Sequence, residues 1–532
     1  MSTLTHVEAA LAPHRELNRT TTPYPDDRSV KELFEGCAAR RPEATALIHR
    51  GTTVSYGELN RLANCLADRL RQDGLRPGET VGVSLERSVE LIVALLAVVK
   101  CGAAYLPFDA SWPDERLLGL LADADCSRVV TAPGSTLAER LSHCRVTTVD
   151  KDALTGHPAD PDLQVSPDDI AYINFTSGST GRPKGVPIRH RGITRLVFGA
   201  RFARLDEETT LLQLAPVSFD AATFEIWGAL LVGGRCVLYP SAFVRFSEFK
   251  RVVDTHGVST VFLTTALFNT VVDEAPKTLE NVETVLTGGE AHSLTHIAKA
   301  LAAYGPDRVV SVYGPTECTT FATYYPVRAL EPAESSLPIG RPIQNTRAYV
   351  VHDGRLCGPG ETGEVLLAGP GLSPGYLGLP DVTRRQFVEY EIDGVRERLY
   401  RTGDRAYLSA DGNLVFQGRL DDQVKINGFR IELGEVAHHI GLHPDVKQSH
   451  VTVAPAAAGG KELVAFVVPR AERCTAESIR EHMRRSLPEY MVPAGIHLRE
   501  SLPLSGTGKV NRKALLATLT TTHQQEPHHD HQ

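Results

Sequence analysis

The sequence predicts an α/β fold with largely parallel sheets, a small β subdomain and a smaller C-terminal domain. From Val30 to about Gly340, helical patterns alternate with short β-branched runs, as they do in layered α/β proteins. Around Arg347–Leu367 the pattern changes to strands and glycine-rich turns, which indicates the β subdomain. Beyond Arg419–Asp422, roughly a hundred residues carry a mixed pattern of their own, which is the size of a domain.

The spacing of apolar residues predicts the individual elements in chain order. Residues 1–28 are polar and rich in Thr, Pro and Arg, and we expect an extended arm there. Apolar residues at three- and four-residue spacing predict helices over Leu59–Gln72 and Val89–Lys100. Short buried strands are predicted over Thr80–Ser84, Ser127–Thr131, Ile170–Asn174, Thr260–Leu263 and Val282–Thr287.

The C-terminal part has its own predicted elements. Helices are expected over Glu435–Ile440 and Ala476–Arg484, and strands over His450–Val453 and Leu463–Val468. We therefore expect a large domain over residues 1–420, a small domain over 421–518 and a disordered polar tail over 519–532.

The composition is that of an ordinary globular protein, with 42% hydrophobic and 23% charged residues. The 64 acidic and 56 basic side chains are spread along the chain, which argues against a nucleic-acid or anionic-membrane binder. Nine cysteines form no Cys-x-x-Cys pair, so neither a disulfide framework nor a zinc site is indicated. The N-terminus lacks a secretory pattern, and the longest apolar stretch, Leu91–Val99, is about half a bilayer span. We expect a cytoplasmic protein.

A loop rich in Gly, Ser and Thr directly follows the predicted strand Ile170–Asn174. Residues 174–185 read Asn-Phe-Thr-Ser-Gly-Ser-Thr-Gly-Arg-Pro-Lys-Gly. The glycines let the backbone turn tightly and expose its N–H groups, the hydroxyls add donors, and Lys184 adds a cation. This combination is suited to holding a polyphosphate, although the spacing is not that of a Walker A loop.

Together with other motifs, this loop resembles the phosphate-binding core of the adenylate-forming superfamily. That superfamily includes acyl-CoA synthetases, luciferases and nonribosomal peptide synthetase adenylation domains. Nearly the whole chain carries the family's motifs in order, at residues 54–60, 100–109, 313–317 (Tyr-Gly-Pro-Thr-Glu), 400–404 (Tyr-Arg-Thr-Gly-Asp), 418–425, 487–493 and 506–513 (Gly-Thr-Gly-Lys-Val-Asn-Arg-Lys). The resemblance implies a large N-terminal domain with two α/β sheets and the β subdomain, and a small, mobile α+β C-terminal domain.

By this resemblance the chain is an ATP-dependent, AMP-forming ligase whose cofactors are ATP and Mg²⁺. Tyr313 is expected to stack on adenine, Asp404 and Arg419 to hold the ribose, and Glu317 to hold Mg²⁺ between the phosphates. The full nucleotide-binding set implied is Thr176, Ser177, Gly178, Ser179, Thr180, Gly181, Lys184, Tyr313, Thr316, Asp404 and Arg419.

Two further positions are assigned by the resemblance. Lys509 lies in a glycine-rich loop of the small domain and is the expected catalytic residue. A cation there would stabilise the charge that develops as a carboxylate attacks the α-phosphate. Asp421 matches the hinge about which the small domain rotates between an adenylating and a thioester-forming state.

The segment Phe219–Glu225 resembles the part of peptide synthetase domains that receives the amino acid. In members that activate α-amino acids, an Asp at the position of Asp220 pairs with the substrate ammonium. A fatty or aryl acid has no cation to pair, so a buried carboxylate there would be costly. The carried-over pocket positions are Asp220, Ala221, Phe224, Phe262, Leu286, Gly288, Val312, Thr320, Phe321 and Lys509.

The composition of this pocket predicts the substrate. Apart from Asp220, Lys509 and Thr320 the lining is apolar, so a charged side chain would lose its hydration without compensation. The phenylalanines narrow the space and favour a compact β-branched chain over an indole. The pattern is most similar to the isoleucine type, with valine second and leucine third.

No carrier domain with a Gly-Gly-x-Ser attachment site follows Lys513, and nothing precedes the domain. We therefore expect a free-standing enzyme that loads a separate peptidyl carrier protein through its phosphopantetheine thiol. A small MbtH-like accessory protein is a further candidate partner, which the residues leave open. An aminoacyl- or acyl-CoA synthetase is the first alternative, although no cationic cluster for the CoA phosphates stands out. An inactive homologue acting as a scaffold is the second.

Overall fold

The computed structural model describes residues 2–3, 8–178, 181–330, 336–456, 460–504 and 510–522. The helices are α1 (Glu8–Leu17), α2 (Val30–Arg40), α3 (Tyr56–Gln72), α4 (Val89–Lys100), α5 (Asp114–Asp123), α6 (Leu137–Arg140), α7 (His190–Val197), α8 (Ala221–Leu230), α9 (Phe246–His256), α10 (Thr265–Glu274), α11 (Leu294–Tyr304), α12 (Pro380–Gln386), α13 (Leu433–Gly441), α14 (Ala476–Arg484) and α15 (Arg512–Thr522). Short 3-10 turns span Lys151–Ala153, Pro276–Thr278, Thr316–Cys318 and Glu489–Met491.

The strands are β1 (Ser2–Thr3), β2 (Thr45–His49), β3 (Thr52–Ser55), β4 (Thr80–Ser84), β5 (Ala104–Pro107), β6 (Arg128–Thr131), β7 (Arg145–Thr148), β8 (Ile170–Thr176), β9 (Lys184–Arg189), β10 (Thr210–Gln213), β11 (Arg235–Leu238), β12 (Thr260–Thr264), β13 (Thr284–Gly288), β14 (Val309–Tyr313), β15 (Thr323–Pro326), β16 (Arg341–Pro342), β17 (Arg347–His352), β18 (Arg355–Leu356), β19 (Gly363–Ala368), β20 (Phe387–Ile392), β21 (Val395–Leu408), β22 (Leu414–Arg419), β23 (Gln423–Ile426), β24 (Phe429–Glu432), β25 (Val446–Pro455), β26 (Lys461–Pro469) and β27 (Gly495–Leu498).

The chain divides into two compact units. The first contains residues 1–110, 118–176 and 184–421, and the second contains residues 111–117, 177–183 and 422–532. The predicted phosphate loop is therefore shared between them, with Thr176 and Lys184 in the first unit. The division near the C-terminus falls directly after Asp421, the residue expected to be the hinge.

Two α/β sheets form most of the first unit. One has the strand order β16-β15-β14-β13-β12-β10-β11-β2-β3, with a parallel centre from β14 to β2. The other has the order β7-β6-β4-β5-β8-β9 and is parallel except at β9. Helix α4 is buried at every position from Leu91 to Lys100 and shares one hydrophobic core with strands of both sheets. This buried environment explains why its sequence is apolar on all faces.

The β subdomain is a mostly antiparallel sheet of the order β1-β20-β21-β19-β17-β18, with β22 paired to β21. Here the expectation of an extended arm over residues 1–28 is wrong in part, because Glu8–Leu17 form helix α1. Ala10 and Leu11 pack into the hydrophobic cluster of this sheet. His14 is buried, accepts the N–H of Val350 at 3.1 Å through Nε2, and has its pKa lowered by burial. Contacts with residues distant in sequence therefore order this segment.

The second unit contains the hairpin β23–β24 and a sheet in which β26 pairs with β25 antiparallel and with β27 parallel. The predicted helix Ala476–Arg484 coincides with α14. Helix α15 continues to Thr522, so residues 519–522 of the predicted disordered tail are helical. Residues 523–532 lie outside the described residues.

Two global features follow from the fold. All nine cysteines are free, as expected from their scattered positions. In the part of the chain that the structure describes, no helix has the length and apolar character needed to span a membrane.

Candidate active site

The predicted pocket positions on strands meet at the carboxyl ends of β12, β13 and β14. Phe262 lies opposite Leu286 in the register of β12 and β13, and Gly288 lies opposite Val312 in that of β13 and β14. Because residues two apart in a strand share a face, these four positions lie on one face of the sheet. Gly288 is required by close packing, since an added Cβ would lie 2.2 Å from the carbonyl oxygen of Val312. Ligands bind at this edge of open parallel sheets.

Asp220 stands immediately before helix α8, and Ala221 and Phe224 lie on that helix. Asp220 is half-buried, and its side chain makes no capping hydrogen bond to α8. Its carbonyl oxygen accepts a 2.9 Å hydrogen bond from the hydroxyl of Thr320. This bond ties the start of α8 to the loop that carries Thr320 and Phe321.

The predicted phenylalanines form one cluster next to this bond. The ring centroid of Phe321 lies 5.3 Å from that of Phe224 and 5.7 Å from that of Phe262. All three rings are buried. The structure therefore brings every predicted pocket residue in the first unit into one region. Lys509 lies outside the described residues.

The loop after β14 has a strained backbone. Thr319 and Thr320 adopt positive φ angles of 53° and 67°, which β-branched residues rarely do. Arg195 on α7 is fully buried and donates from Nη1 to the carbonyl oxygen of Phe321 at 2.7 Å. Its Nη2 donates to the carbonyl oxygens of Cys318 and Thr319. Burial lowers the pKa of Arg195. The guanidinium thus holds together the loop on which Glu317, Thr320 and Phe321 lie.

Sequence reasoning missed Arg195 because its role depends on carbonyl groups more than a hundred residues away. The only local signal is a charged residue among apolar neighbours in a short helix, Ile193–Val197. Such an arginine is more often solvent-exposed.

A second group of residues fits a phosphate and its divalent cation. The buried carboxylate of Glu317 accepts a 2.7 Å hydrogen bond from the hydroxyl of Tyr376. Lys184 Nζ lies 5.4 Å from the ring centroid of Tyr376, and Lys184 pairs with Thr176 across β8 and β9. The buried hydroxyl of Thr176 has no hydrogen-bond partner within the described residues. A phosphate oxygen would supply that partner, and Mg²⁺ commonly takes one or two carboxylates with phosphates and water.

The middle of the phosphate loop belongs to the second unit. Ser177 Oγ donates to the carbonyl oxygen of Arg430 at 2.9 Å. The N–H of Gly178 donates to the buried carboxylate of Glu435 at 3.0 Å, and burial raises the pKa of Glu435. A loop amide therefore already contacts an anionic group. Gly181 has a positive φ of 81°, whereas Ser179 and Thr180 lie outside the described residues.

The predicted ribose-binding residues form a chain of hydrogen bonds. Tyr313, at the end of β14, donates to Asp404 Oδ2 at 2.6 Å, and Arg419 Nη1 donates to Asp404 Oδ1 at 2.5 Å. Arg419 also binds both carboxylate oxygens of Asp421, at 2.6 and 2.9 Å. Burial and the charge of Asp404 raise the pKa of Tyr313 well above its ordinary value. A carboxylate has about four acceptor positions, so Asp404 keeps capacity for ribose hydroxyls. Thr316 lies in the adjacent 3-10 turn.

Glu225 and Tyr376 are further polar residues to which sequence reasoning assigned no role. Glu225 is fully buried on α8, and one of its carboxylate oxygens accepts the N–H groups of Leu214 and Ala215 at 3.1 and 2.9 Å. Burial raises the pKa of Glu225 to about 8. These contacts fix the segment that leads into Asp220. A carboxylate inside an otherwise apolar helix was the available signal.

Comparison with known proteins identifies the family. The family model of AMP-binding enzymes matches residues 34–377, and that of the AMP-binding enzyme C-terminal domain matches residues 435–509. The linear gramicidin synthase of Brevibacillus parabrevis includes a polypeptide that is 42% identical over 506 residues, which are 94% of this chain and 6% of that protein. Surfactin synthase subunit 1 of Bacillus subtilis is 38% identical over 513 residues, 96% of this chain and 14% of that protein. The chain thus spans a small part of the length of these curated relatives.

Solved structures give the same result. Holo-PA1221, an NRPS protein containing adenylation and PCP domains, has a TM-score of 0.85 at 33% identity, covering 96% of this chain and 86% of that one. The o-succinylbenzoate CoA synthetase MenE of Bacillus subtilis has a TM-score of 0.79 at 22% identity, covering 92% of this chain and 98% of that one. The likeness to MenE shows a common fold alone.

These matches confirm the predicted α/β fold class and the resemblance to adenylation domains of the adenylate-forming superfamily. They also confirm the predicted enzyme class, an ATP-dependent, AMP-forming ligase. The chain belongs to the AMP-binding enzyme family.

Proposed function

We propose that the chain activates a branched aliphatic L-amino acid with ATP and Mg²⁺ and transfers it to the phosphopantetheine thiol of a separate peptidyl carrier protein. Isoleucine is the first candidate substrate, followed by valine and leucine. The observation that carries this proposal is the half-buried Asp220 beside a wall of three buried phenylalanine rings.

The environment of Asp220 favours a substrate with an α-ammonium group. The carboxylate is partly removed from water, and its side chain does not cap the helix that it precedes. A partly buried carboxylate is stabilised by a cation, which an α-amino acid brings and a fatty acid lacks.

The walls of the pocket favour a short aliphatic side chain. Phe224, Phe321 and Phe262 supply apolar surface, and the centroid distances of 5.3 and 5.7 Å leave these rings in mutual contact. The hydroxyl of Thr320 is already donated to the carbonyl oxygen of Asp220. A polar substrate side chain would lose its hydrogen bonds to water without replacement.

The residues around the nucleotide have complementary roles in the proposed adenylation step. The substrate carboxylate attacks the α-phosphate, the bond to the β-phosphate breaks, and pyrophosphate leaves. Thr176 and Lys184 are placed to hold the phosphates, and Asp404 is placed to hold the ribose. Mg²⁺ held by Glu317 would neutralise phosphate charge. Lys509 is the proposed cation at the reacting oxygens, and Asp421 the proposed hinge for the transfer step.

The amino-acid assignment is tested by comparing isoleucine with 3-methylpentanoic acid, its analogue without the amino group. The rate of adenylate formation should fall at least about 100-fold for the analogue, because an unpaired carboxylate costs about 3–5 kcal/mol. Asp220→Asn should weaken isoleucine far more than the analogue. Equal preference in both proteins would contradict the role of Asp220.

The acceptor is tested separately, with labelled isoleucine, phosphopantetheinylated carrier domains and free CoA. PA1221 contains a PCP domain beside its adenylation domain, which supports a carrier as acceptor. Label should enter the carrier as a hydroxylamine-sensitive thioester. If only CoA is acylated, the alternative of an aminoacyl-CoA synthetase replaces the proposal.

A further inference from the structure

Phe202 lies outside the pocket positions that the family resemblance supplies. It stands in the loop between α7 and β10, and its side chain is only 3% exposed. Its ring centroid is 5.6 Å from that of Phe224 and 5.6 Å from that of Phe321. Phe202 therefore contacts both rings that form the walls of the proposed pocket.

The three rings form a closed triangle. Phe202 meets Phe224 at 54° and Phe321 edge-on at 84°, and Phe224 meets Phe321 at 52° with 5.3 Å between centroids. Tilted and edge-to-face contacts at these distances are the favoured aromatic geometries. Each ring touches the other two, so none can rotate without displacing its neighbours. On its outer side, Phe202 also lies 6.4 Å from the ring of Tyr324.

We propose that Phe202 is a specificity-determining residue, which limits the size of the substrate side chain by fixing the positions of Phe224 and Phe321. This inference rests on the proposed function, in which those two rings line the amino-acid pocket. Protein interiors are close-packed, so removal of the third ring leaves space into which the walls can move. A pocket discriminates between substrates one methylene apart by about 10- to 200-fold. Space of that size would therefore remove much of the selectivity.

The test is Phe202→Leu, assayed for kcat/KM with valine, isoleucine, leucine and phenylalanine. The ratio of kcat/KM for the larger amino acids to that for the preferred one should rise at least about tenfold. The KM for ATP should not change, because the aromatic triangle contains no nucleotide-binding residue. Phe202→Met, which keeps more of the volume, should shift the ratio in the same direction by less and serves if the leucine variant does not fold.

Phe249→Leu is the matched control. Phe249 is also fully buried and also makes an edge-on ring contact, 6.1 Å from Tyr239, but in a different hydrophobic cluster. It should lose stability without a change in the selectivity ratio. An unchanged ratio in both Phe202 variants would overturn the inference, as would an equal shift in Phe249→Leu.

The inference and the proposed function can fail separately. If the wild type activates no aliphatic amino acid, the proposed substrate is wrong. The role of Phe202 is then decided by the same ratio, measured between the substrate that the wild type does prefer and its next larger homologue.

Discussion

Arg195 offers a sharp test of how the site is built, because it separates activity from stability. Its guanidinium donates to the carbonyl oxygens of Cys318, Thr319 and Phe321 and has no carboxylate partner within the described residues. Arg195→Met keeps an unbranched apolar stem and removes these donors. The loop with its two positive φ angles then loses the contacts that hold it.

The expected magnitudes follow from two opposing effects on stability. Each buried carbonyl left without a donor costs about 1–3 kcal/mol. Removal of a desolvated charge that lacks an ion-pair partner returns several kcal/mol. The free energy of unfolding should therefore fall by only about 2 kcal/mol. The loop, however, positions Glu317 and Thr320, and a misplacement of about 1 Å can reduce the rate about 100-fold.

Pyrophosphate exchange and urea denaturation measure the two quantities on the same preparation. Arg308→Met is the control, because Arg308 also donates to main-chain carbonyls, those of Val282 and Glu280, but at the other end of β14. The control should lose stability while its exchange rate stays near that of the wild type. If Arg195→Met keeps full activity, or if its activity falls only as far as that of the control, Arg195 does not organise the site.

Three further predictions follow from other contacts. Asp404→Asn should raise the KM for ATP about 10- to 100-fold, since a hydrogen bond to a charged group contributes about 1.5–3 kcal/mol; an unchanged KM would contradict the ribose assignment. Tyr376→Phe removes the donor to Glu317 and should raise the Mg²⁺ concentration for half-maximal rate about tenfold; an unaltered Mg²⁺ dependence would dissociate Glu317 from the metal. Burial raises the pKa of Glu225 from 4.5 to about 8, so its stabilising effect is complete below pH 4.5 and is lost as the pH rises through 8. Between pH 6 and 8 the wild type should lose roughly 2–3 kcal/mol relative to Glu225→Gln in urea denaturation, and parallel curves would refute this.

The sequence predicted what local patterns and ordered motifs determine. Helix α4 and strand β4 have the predicted bounds, because continuous apolar runs flanked by polar residues identify buried elements. The pocket positions meet because the carboxyl ends of neighbouring parallel strands share one edge of a sheet. Phe262, aligned with least support, lies beside Phe321 as the pocket requires.

What the sequence could not predict depends on contacts between distant segments. Helix α1 is ordered by packing against the β subdomain, despite Pro13 within it and threonines after it. The donors from Arg195 and the ring of Phe202 act on residues far along the chain, and neither belongs to a motif. Buried polar and aromatic partners of this kind leave no periodic signal in the sequence.

The most direct test of the central claim is amino-acid-dependent ATP–pyrophosphate exchange with all twenty amino acids. The protein should be prepared alone and with a co-expressed MbtH-like protein, and Lys509→Ala should serve as the inactive control. Exchange should be strongest with isoleucine, followed by valine and leucine, and should fall by orders of magnitude in the control. Exchange confined to aromatic or acidic amino acids, or exchange without any amino acid dependence, would contradict the account.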